Sequence, residues 1–265
     1  MVIWILVEPA EFFPISSQSE YSNTFQRILC YPKNDEIELQ KRIEELKQLG
    51  ITALEFKGSK SINNIKVLGK GHVGIVVLGY TEKGINALKI RRLDADRDEM
   101  MREGEMLRLA NSNDIGPKLF GLTNNFILME YIEGEYLPEY IINHMEKKRH
   151  IAIKRALRKL LFDCYKMDLK NIDHGELSNA SRHVIVRKSG NPVIIDFESS
   201  SDARQTKNVQ CMCNYLFMGS NISINLRKLL GIESTFPLIK ALRVYKNANY
   251  RNRFENILRL SGLAQ

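Results

Sequence analysis

Hydrophobic and polar positions alternate along the chain in two ways, and each predicts one kind of secondary structure. Short apolar runs that are rich in β-branched residues and bounded by turn residues predict strands. These runs fall at residues 2–7, 51–57, 75–78, 85–90, 126–131, 183–187 and 193–195. Apolar residues that recur every three or four positions predict helices, at residues 35–49, 94–110, 153–164 and 209–217. The mixture predicts an α+β fold, and no apolar run is long enough to span a bilayer.

The first 60 residues are predicted to form an appendage with an N-terminal strand, an irregular stretch at 8–32 and one amphipathic helix. Asn34 or Asp35 can cap that helix, and Gly50 ends it. Its predicted apolar stripe consists of Ile37, Ile43, Leu46 and Leu49. The remaining chain is predicted to form two domains, residues 61–132 and residues 133–265.

A glycine-rich hairpin follows the appendage. Gly69, Gly71 and Gly74 are spaced as G-x-G-x-x-G, and strand-forming residues continue on both sides of the turn. A dinucleotide-binding loop needs a helix here, whereas a glycine-rich hairpin followed by a strand lysine is the arrangement of protein kinases. The glycines let the backbone approach phosphates, and Lys89 would place its ammonium on their oxygens. The predicted nucleotide contacts are Gly69, Lys70, Gly71, Gly74, Val76 and Lys89.

The charged helix at 94–110 comes directly after the strand lysine. In protein kinases a helix at this place carries a glutamate that pairs with the lysine and holds it over the phosphates. We predict this role for Glu103, with Glu99 one turn earlier as the reserve candidate and Glu105 pointing away. Most glutamates in folded proteins lie on the surface, so each of these taken alone would be expected there. The order of lysine strand and glutamate helix favours the pair.

The apolar strand at 126–131 ends in the sequence Met-Glu-Tyr-Ile-Glu-Gly and is similar to a kinase hinge. On that resemblance Met129 lies behind the adenine of ATP. The backbone groups of Glu130 and Ile132 would then hydrogen-bond the adenine edge. A core strand that ends in a charged turn explains the same residues.

Two acidic residues follow, one in a loop and one at the end of a strand. Glu176 lies in the loop Asp-His-Gly-Glu-Leu-Ser, and Asp196 ends an apolar strand in Ile-Ile-Asp-Phe-Glu. Because apolar residues and a phenylalanine surround Asp196, we expect its carboxylate to be buried and partnered by a metal. His174 is expected to orient the loop through packing and hydrogen bonding.

Together these motifs resemble the atypical, minimal protein-kinase-like families of RIO, Bud32, lipopolysaccharide and aminoglycoside kinases. Their loop reads His-Gly-Asp-Leu, and their metal motif reads Ile-Asp-Phe followed by Gly or Glu. The resemblance covers about residues 65–200 and implies a two-lobed fold that binds ATP and Mg²⁺. It implies that Asp196 holds the metal and that Lys89 orients the phosphates. Glu176 would deprotonate an acceptor hydroxyl.

Further sequence runs are similar to an archaeal group of predicted serine/threonine kinases. They are Leu68-Gly-Lys-Gly, the loop Glu-Leu-Ser, His183-Val-Ile-Val, Ile-Asp-Phe-Glu-Ser and Leu242-Arg-Val-Tyr-Lys. That group includes the archaeal RNA kinase, which phosphorylates a ribose 2′-hydroxyl in the variable loop of tRNA. The resemblance therefore implies a tRNA ribose hydroxyl, on a variable-loop uridine, as the acceptor.

Two residues depart from the kinase pattern. Glu176 stands where the families have aspartate, and it can still accept a proton although its carboxylate lies one methylene further out. Five positions later Ser181 replaces the usual asparagine, so Ser181 and the nearby Asn179 are both candidates for a second metal contact. The sequence also lacks a long activation segment and an Ala-Pro-Glu motif. Conventional kinases bind peptides on that segment, so a conventional peptide substrate is disfavoured.

The net charge of +8 indicates an attraction to polyanions. One basic cluster, predicted to lie in a helical segment, contains Lys147, Lys148, Arg149, Lys154, Arg155, Arg158 and Lys159. A second, in the C-terminal tail, contains Lys240, Arg243, Lys246, Arg251, Arg253 and Arg259, with Tyr245 and Tyr250 between them. Basic helix faces are more often solvated surface than nucleic-acid sites. Two such clusters on a kinase-like body favour tRNA as a partner.

The cysteines and the N-terminus indicate the compartment. Cys30, Cys164, Cys211 and Cys213 form no Cys-x-x-Cys pair and are predicted to be buried free thiols. The apolar stretch at 1–7 is too short for a signal peptide, so a cytoplasmic location is expected. Three functions remain open: an RNA kinase, an atypical serine/threonine protein kinase, and a Bud32-like regulatory ATPase.

Overall fold

A computed structural model describes residues 11–15, 23–247 and 251–264. The strand predicted at 2–7 and the side chain of Tyr250 lie outside these residues. The chain divides into two compact units. The first contains the described residues up to Gly104 together with Lys118–Tyr131, and the second contains Glu105–Pro117 and the chain from Ile132 onward. Within the described ranges, no helix combines the length and apolar character that crossing a membrane requires.

The first unit contains an antiparallel sheet. The strands are β1 (Glu11–Pro14), β2 (Ala53–Phe56), β3 (Lys60–Ile62), β4 (Ile65–Val67), β5 (Gly69–Lys70), β6 (Gly74–Thr81), β7 (Gly84–Arg91), β8 (Leu119–Leu122) and β9 (Phe126–Glu130). The sheet order is β1-β2-β6-β7-β9-β8, with β5 also paired to β6, while β3 and β4 form a separate hairpin. Residues that alternate along β6 and β7 therefore face opposite sides of the sheet.

The first unit also contains helices α1 (Asn23–Leu29) and α2 (Glu36–Gln48) and the part of α3 (Arg97–Asn111) up to Gly104. Phe25 of α1 and Ile43 and Leu46 of α2 share one buried cluster with Val77 and Leu88 of the sheet. Burial of large apolar side chains contributes about 1.5–3 kcal/mol each, so this cluster is a main source of the unit's stability. Both β1 and α1 lie in the stretch that the sequence predicts to be irregular. That prediction is wrong because these apolar residues join the core.

Helix α2 confirms the helix predicted at 35–49. The Asp35 carboxylate accepts a hydrogen bond from the Glu38 N–H at 2.9 Å, and Gly50 follows the helix with a φ of +71°. The prediction that Ile37 lies on the apolar stripe is wrong, because its side chain is 74% exposed, whereas Leu39 is buried. A helix advances by about 100° per residue, so residues six apart, such as Ile37 and Ile43, face different sides.

Strand β2 lies in the segment predicted as an appendage, yet it pairs with β6 inside the sheet. Ala53 lies opposite Tyr80, and Glu55 lies opposite Leu78. The segment therefore supplies a strand to the first unit.

The second unit combines helices with a small antiparallel sheet. Its elements are β10 (Gly134–Tyr136), α4 (Leu137–Glu146), α5 (His150–Leu169), β11 (Val184–Arg187), β12 (Pro192–Ile194), α6 (Asn208–Asn214), α7 (Ser223–Leu230), α8 (Phe236–Asn247) and α9 (Arg251–Leu260). The sheet order is β10-β11-β12. A short 3-10 helix covers Leu177–Asn179, and a π-helix at Tyr215–Gly219 continues α6. The single helix predicted at 209–217 is thus two helical segments.

The predicted apolar stripe of α5 is confirmed. It consists of Ile153, Leu157, Leu160, Leu161 and Cys164, and all five are fully buried. The basic cluster differs from its prediction, because Lys147, Lys148 and Arg149 form the turn before α5 and only the later cations lie on the helix. All four cysteines are free thiols, and Cys211 alone is half-buried rather than buried.

Candidate functional site

Lys89 and Glu103 form a buried ion pair in the first unit. Strand β7 carries Lys89 and helix α3 carries Glu103, and each residue is only 4% exposed. The Lys89 Nζ lies 2.6 Å from the Glu103 Oε2, as the order of strand and helix predicted. Glu105 instead pairs with Arg108 on the helix surface, and Glu99 is exposed. A buried lysine held in this way presents a fixed positive charge.

Gly74 begins β6 where the stem of Lys89 passes close to its Cα. A Cβ atom on Gly74 would lie 2.9 Å from the Lys89 Cγ and 3.0 Å from both the Lys89 Cε and the Ile90 carbonyl oxygen. These distances are below ordinary van der Waals separation, so a side chain here would push Lys89 out of position. Glycine at this position therefore protects the geometry of the ion pair.

The remaining predicted residues of the glycine motif lie in the same hairpin. The Gly71 N–H donates to the Gly74 carbonyl at 2.8 Å and closes the turn. Gly69 and Lys70 form β5, where Gly69 lies opposite Val76. Lys70 is exposed and Val76 is half-buried.

The predicted adenine contacts lie at the end of β9 and just after it. Met129 and Glu130 are half-buried residues of β9, and Ile132 is a buried residue of the second unit. The Glu130 N–H already donates to the Lys118 carbonyl at 2.8 Å. Any adenine contact from the Glu130 backbone would therefore be made by its carbonyl oxygen.

In the second unit, a serine hydroxyl and a histidine ring lie against the Glu176 carboxylate. The Ser199 hydroxyl donates to the Glu176 Oε1, and the His183 Nε2 lies 3.1 Å from the Glu176 Oε2. The same His183 nitrogen lies 3.9 Å from the Asp196 Oδ2. Side chains of both acids are 45% exposed, whereas that of His183 is buried. The loop and the strand end thus place two accessible carboxylates around one imidazole.

The expectation that Asp196 is buried is wrong. Its backbone lies just beyond β12 in the left-handed region, with a φ of +67°. Few residues other than glycine adopt this conformation, although aspartate and asparagine tolerate it best. The left-handed turn interrupts the strand direction, so Phe197 enters the core at 2% exposure while the Asp196 carboxylate reaches solvent.

His174 is the buried support of the Glu176 loop. Its Nε2 lies 3.0 Å from the Ile195 carbonyl oxygen, which can only accept, so Nε2 carries the proton. Its Nδ1 then accepts from the Glu176 N–H at 3.4 Å. Complete burial lowers the pKa of His174 to about 4. A neutral imidazole therefore links the Glu176 backbone to the strand before Asp196, as its orienting role requires.

Acidification should destabilise the second unit through His174. The unfolded chain binds a proton near pH 6.5 and the folded chain only near pH 4, so stability is lost as pH falls between these values. At about 1.4 kcal/mol per pH unit the loss is roughly 3 kcal/mol. We expect urea unfolding at pH 7 and pH 4 to show this loss for the wild type relative to His174→Gln, which cannot titrate. An equal pH dependence in both proteins would contradict the assignment.

A second buried network ties the loop to helices α5 and α6. The Asp168 carboxylate accepts hydrogen bonds from the backbone N–H and side-chain amide of Asn208 at 2.9 and 2.7 Å, and from the Tyr245 hydroxyl at 2.9 Å. The Asn208 Oδ1 accepts from the His174 N–H at 2.9 Å. Burial raises the pKa of Asp168 to about 6, opposed by its hydrogen bonds. Asn208 thereby couples the loop to the helical core.

Asn179 and Ser181, the two candidates for a second metal contact, form a hydrogen bond with each other. The Ser181 hydroxyl donates to the Asn179 Oδ1 at 2.7 Å, and Asn179 is exposed. Across the described ranges, no group of three His, Cys, Asp or Glu side chains has the arrangement of a metal site. Magnesium commonly uses only one or two protein carboxylates together with water and substrate phosphates. The oxygens of Asp196, Asn179 and Ser181 match that chemistry.

Three residues near Glu176 were not assigned a role from the sequence. Ser199 and His183 contact its carboxylate directly, and Arg204 supports the segment that carries Ser199. Arg204 donates to the Ser199 carbonyl, and its Nε lies 3.1 Å from the buried Asp173 carboxylate. Three consecutive serines follow Glu198, and nothing in the sequence indicates that Ser199 is the one that contacts Glu176.

Comparison with known proteins gives partial similarities. No family model matches the chain. The serine/threonine-protein kinase KIC1 of Saccharomyces cerevisiae is 25% identical over 166 residues, which are 59% of this chain and 15% of the yeast protein. The uncharacterized protein MJ1211 of Methanocaldococcus jannaschii is 28% identical over 104 residues, 39% of this chain and 84% of that protein. The chain is thus weakly similar to a serine/threonine kinase and spans a small part of its length.

Proposed function

We propose that this protein is an ATP-dependent phosphotransferase with a protein-kinase-like fold and a hydroxyl group as acceptor. The observation that carries the proposal is the buried Lys89–Glu103 ion pair, which follows a glycine hairpin built around the lysine stem. Protein kinases use the same order of hairpin, strand lysine and helix glutamate to bind ATP phosphates. The weak similarity to a yeast serine/threonine kinase supports the same class.

Each side chain has a role that follows from its environment. Lys89, fixed by Glu103, orients the α- and β-phosphates, and the glycine turn covers them with backbone N–H groups. Glu176 accepts the proton of the attacking hydroxyl, because its carboxylate is accessible, accepts a hydrogen bond from Ser199 and lies beside the His183 ring. Positioning and electrostatic stabilisation account for most of the acceleration in such transfers.

Magnesium is the metal that this chemistry uses. We propose that Asp196 supplies the principal ligand and that Asn179 or Ser181 supplies a second oxygen. Hard oxygen donors of this kind suit Mg²⁺. When bound, the ion neutralises charge on the phosphates during transfer.

For the acceptor we propose a tRNA ribose 2′-hydroxyl. The support is the basic cluster, in which Lys147, Lys148, Arg149, Lys154 and Arg155 are all exposed. Across the described part of the chain, no carboxylate lies within ion-pair distance of any of these five cations, which leaves them available for phosphates. Arg158 also belongs to the cluster and lies 5.5 Å from the Phe162 ring centroid. Phosphate contacts of this number would make binding strongly salt-dependent.

A serine or threonine of a protein is the second candidate acceptor. It is favoured by the similarity to a yeast serine/threonine-protein kinase, which extends over 59% of this chain. Because the match covers a small part of that relative, its substrates need a separate test on this chain.

The test is transfer of label from γ-labelled ATP with magnesium, using total tRNA and total protein in parallel reactions. We expect label in material that nuclease destroys and protease does not. Label that only protease removes would replace the RNA proposal with the protein one. Release of inorganic phosphate without any labelled product would overturn both acceptors in favour of a regulatory ATPase, and no ATP turnover would overturn the phosphotransferase proposal itself.

Removal of the Ser199 hydroxyl should slow transfer while nucleotide affinity is kept. Ser199→Ala removes the hydroxyl that donates a hydrogen bond to the Glu176 carboxylate, so the base samples unproductive positions. We expect kcat to fall on the order of tenfold with KM for ATP nearly unchanged, because lost positioning of this kind acts on the reacting groups. Ser189→Ala, in the exposed turn between β11 and β12, is the matched control and should leave kcat unchanged. A higher KM for ATP with unchanged kcat in Ser199→Ala would contradict this role.

A further inference from the structure

A polar cleft of the first unit lies outside the residues proposed for catalysis. Its volume is about 290 Å³, and it is lined by Arg27, Tyr31, Pro32, Asn34 and Asn63. The lining residues come from three places: helix α1, the turn before α2, and the tip of the β3–β4 hairpin. Small-molecule sites have volumes from about 300 Å³ upward. The cleft lies at the lower end of this range and matches one small ligand.

Among the described residues, the polar side chains that line this cleft have no hydrogen-bond or ion-pair partner. In the described residues, no carboxylate pairs with the Arg27 guanidinium, and no hydrogen bond uses the Tyr31 hydroxyl or the side-chain amides of Asn34 and Asn63. None of the lining residues is acidic. The cleft therefore offers one cation, one aromatic ring and two amides that can each donate and accept hydrogen bonds.

Further positive charge lies on the Tyr31 ring. The Lys70 Nζ is 5.1 Å and the Arg92 Cζ is 5.2 Å from its centroid. Asp94 neutralises Arg92 through two contacts, at 2.9 and 2.7 Å. No carboxylate of the described chain pairs with Lys70. Lys70 therefore adds positive charge beside the ring that no described carboxylate compensates, which favours an anion in the cleft.

We propose that this cleft binds one nucleotide, either free or as part of a single strand. Its phosphate would be contacted by Arg27 and its base by Tyr31 and Pro32. The amides of Asn34 and Asn63 would hydrogen-bond the edge of the base. An aromatic ring, a guanidinium and amides are the combination that recognises unpaired nucleotides. A simple inorganic anion would leave the ring and the amides unused.

This proposal does not depend on the phosphotransferase proposal, because the five residues that line the cleft have no role in transfer. Only the neighbouring Lys70 also belongs to the glycine motif. The test is photocrosslinking of a short 4-thiouridine oligonucleotide to the full chain, followed by mapping of the labelled peptide. We expect the crosslink within residues 24–36 or 61–66, the two segments that line the cleft. The Lys89→Met substitution, which removes the proposed phosphate contact of the ATP site, should leave the crosslink in place.

Two variants remove cleft groups without disturbing the core. Arg27→Glu reverses an exposed charge, and Asn63→Gly removes an amide at a residue whose φ of +48° suits glycine. We expect the affinity for the oligonucleotide, measured by fluorescence anisotropy, to fall about tenfold in each. Lys83→Glu is the matched control, because it makes the same charge change in the exposed β6–β7 turn at the other end of β6.

The outcomes separate the sources of the ligand. Competition by free UMP or AMP would establish a mononucleotide site, and competition by oligonucleotides alone would establish a strand-binding site. Either result supports the proposal. A crosslink outside residues 24–36 and 61–66, or affinity that is unchanged in Arg27→Glu and Asn63→Gly, would overturn it. Loss of the crosslink in Lys89→Met would also overturn it, because the oligonucleotide would then occupy the proposed ATP site.

Discussion

Replacement of Asp196 by asparagine is expected to reduce phosphoryl transfer by at least about 10³-fold, because the residue that we propose as the principal magnesium ligand would lose its charge. Asparagine is the informative choice, since it tolerates the left-handed backbone that Asp196 adopts at a φ of +67°. The side chain keeps its shape and one oxygen, so the loss reports charge rather than folding. The measurement is the initial rate of label transfer from ATP at saturating magnesium.

Asp202→Asn is the matched control for Asp196→Asn. It makes the same chemical change at an exposed residue six positions later and should leave the rate within twofold. Thermal unfolding of both variants should resemble that of the wild type. Full transfer by Asp196→Asn would remove this residue from the catalytic group and require another metal ligand.

Loss of Arg42 is expected to have the largest effect on stability. This arginine is completely buried in the first unit. Its Nε bonds the Glu38 carboxylate at 3.1 Å, and its Nη1 donates to the Arg91 carbonyl at 2.6 Å and to that of Leu29. The Nη2 donates to the Asn125 Oδ1 at 3.0 Å. A single side chain thus satisfies acceptors from four separate segments.

Arg42→Met should lower the free energy of unfolding by about 3–5 kcal/mol, because the buried Glu38 carboxylate and the backbone carbonyls lose their donor. The nearest remaining cation is Arg91, whose Nη2 lies 3.7 Å from Glu38 and offers partial compensation. Urea unfolding monitored by circular dichroism measures the loss. Lys41→Met, on the exposed face of the same helix, should change stability by less than about 0.5 kcal/mol. A cost below 1 kcal/mol for Arg42→Met would show that the network is not cooperative.

Features that depend on residues close together in the sequence could be predicted from it. The Lys89–Glu103 contact follows from a strand lysine and a helix glutamate in neighbouring elements, and the α5 stripe follows from helical spacing. The Asp35 cap follows from its position before an amphipathic segment. In each case the physical cause acts over one element or two adjacent ones.

Contacts between distant segments were not accessible in the same way. Ser199 reaches Glu176 across 23 residues, and Arg42 reaches Asn125 across 83. No local periodicity encodes such distances. Arg42 is a partial exception, because it shares a helix face with the buried Leu39, Ile43 and Leu46 at helical spacing. A cation on an apolar face indicates a buried polar network, and only the fold identifies its partners.

The pairing of β2 with β6 determines how a shortened fragment of the protein would behave. Strand β2 covers one side of β6 from Leu78 to Tyr80. A fragment that begins at residue 61 would expose the backbone N–H and C=O groups of this part of β6 as an open edge. Uncovered apolar edges pair readily with other chains. Such a fragment should therefore self-associate, and its inactivity would report aggregation rather than the absence of a catalytic group.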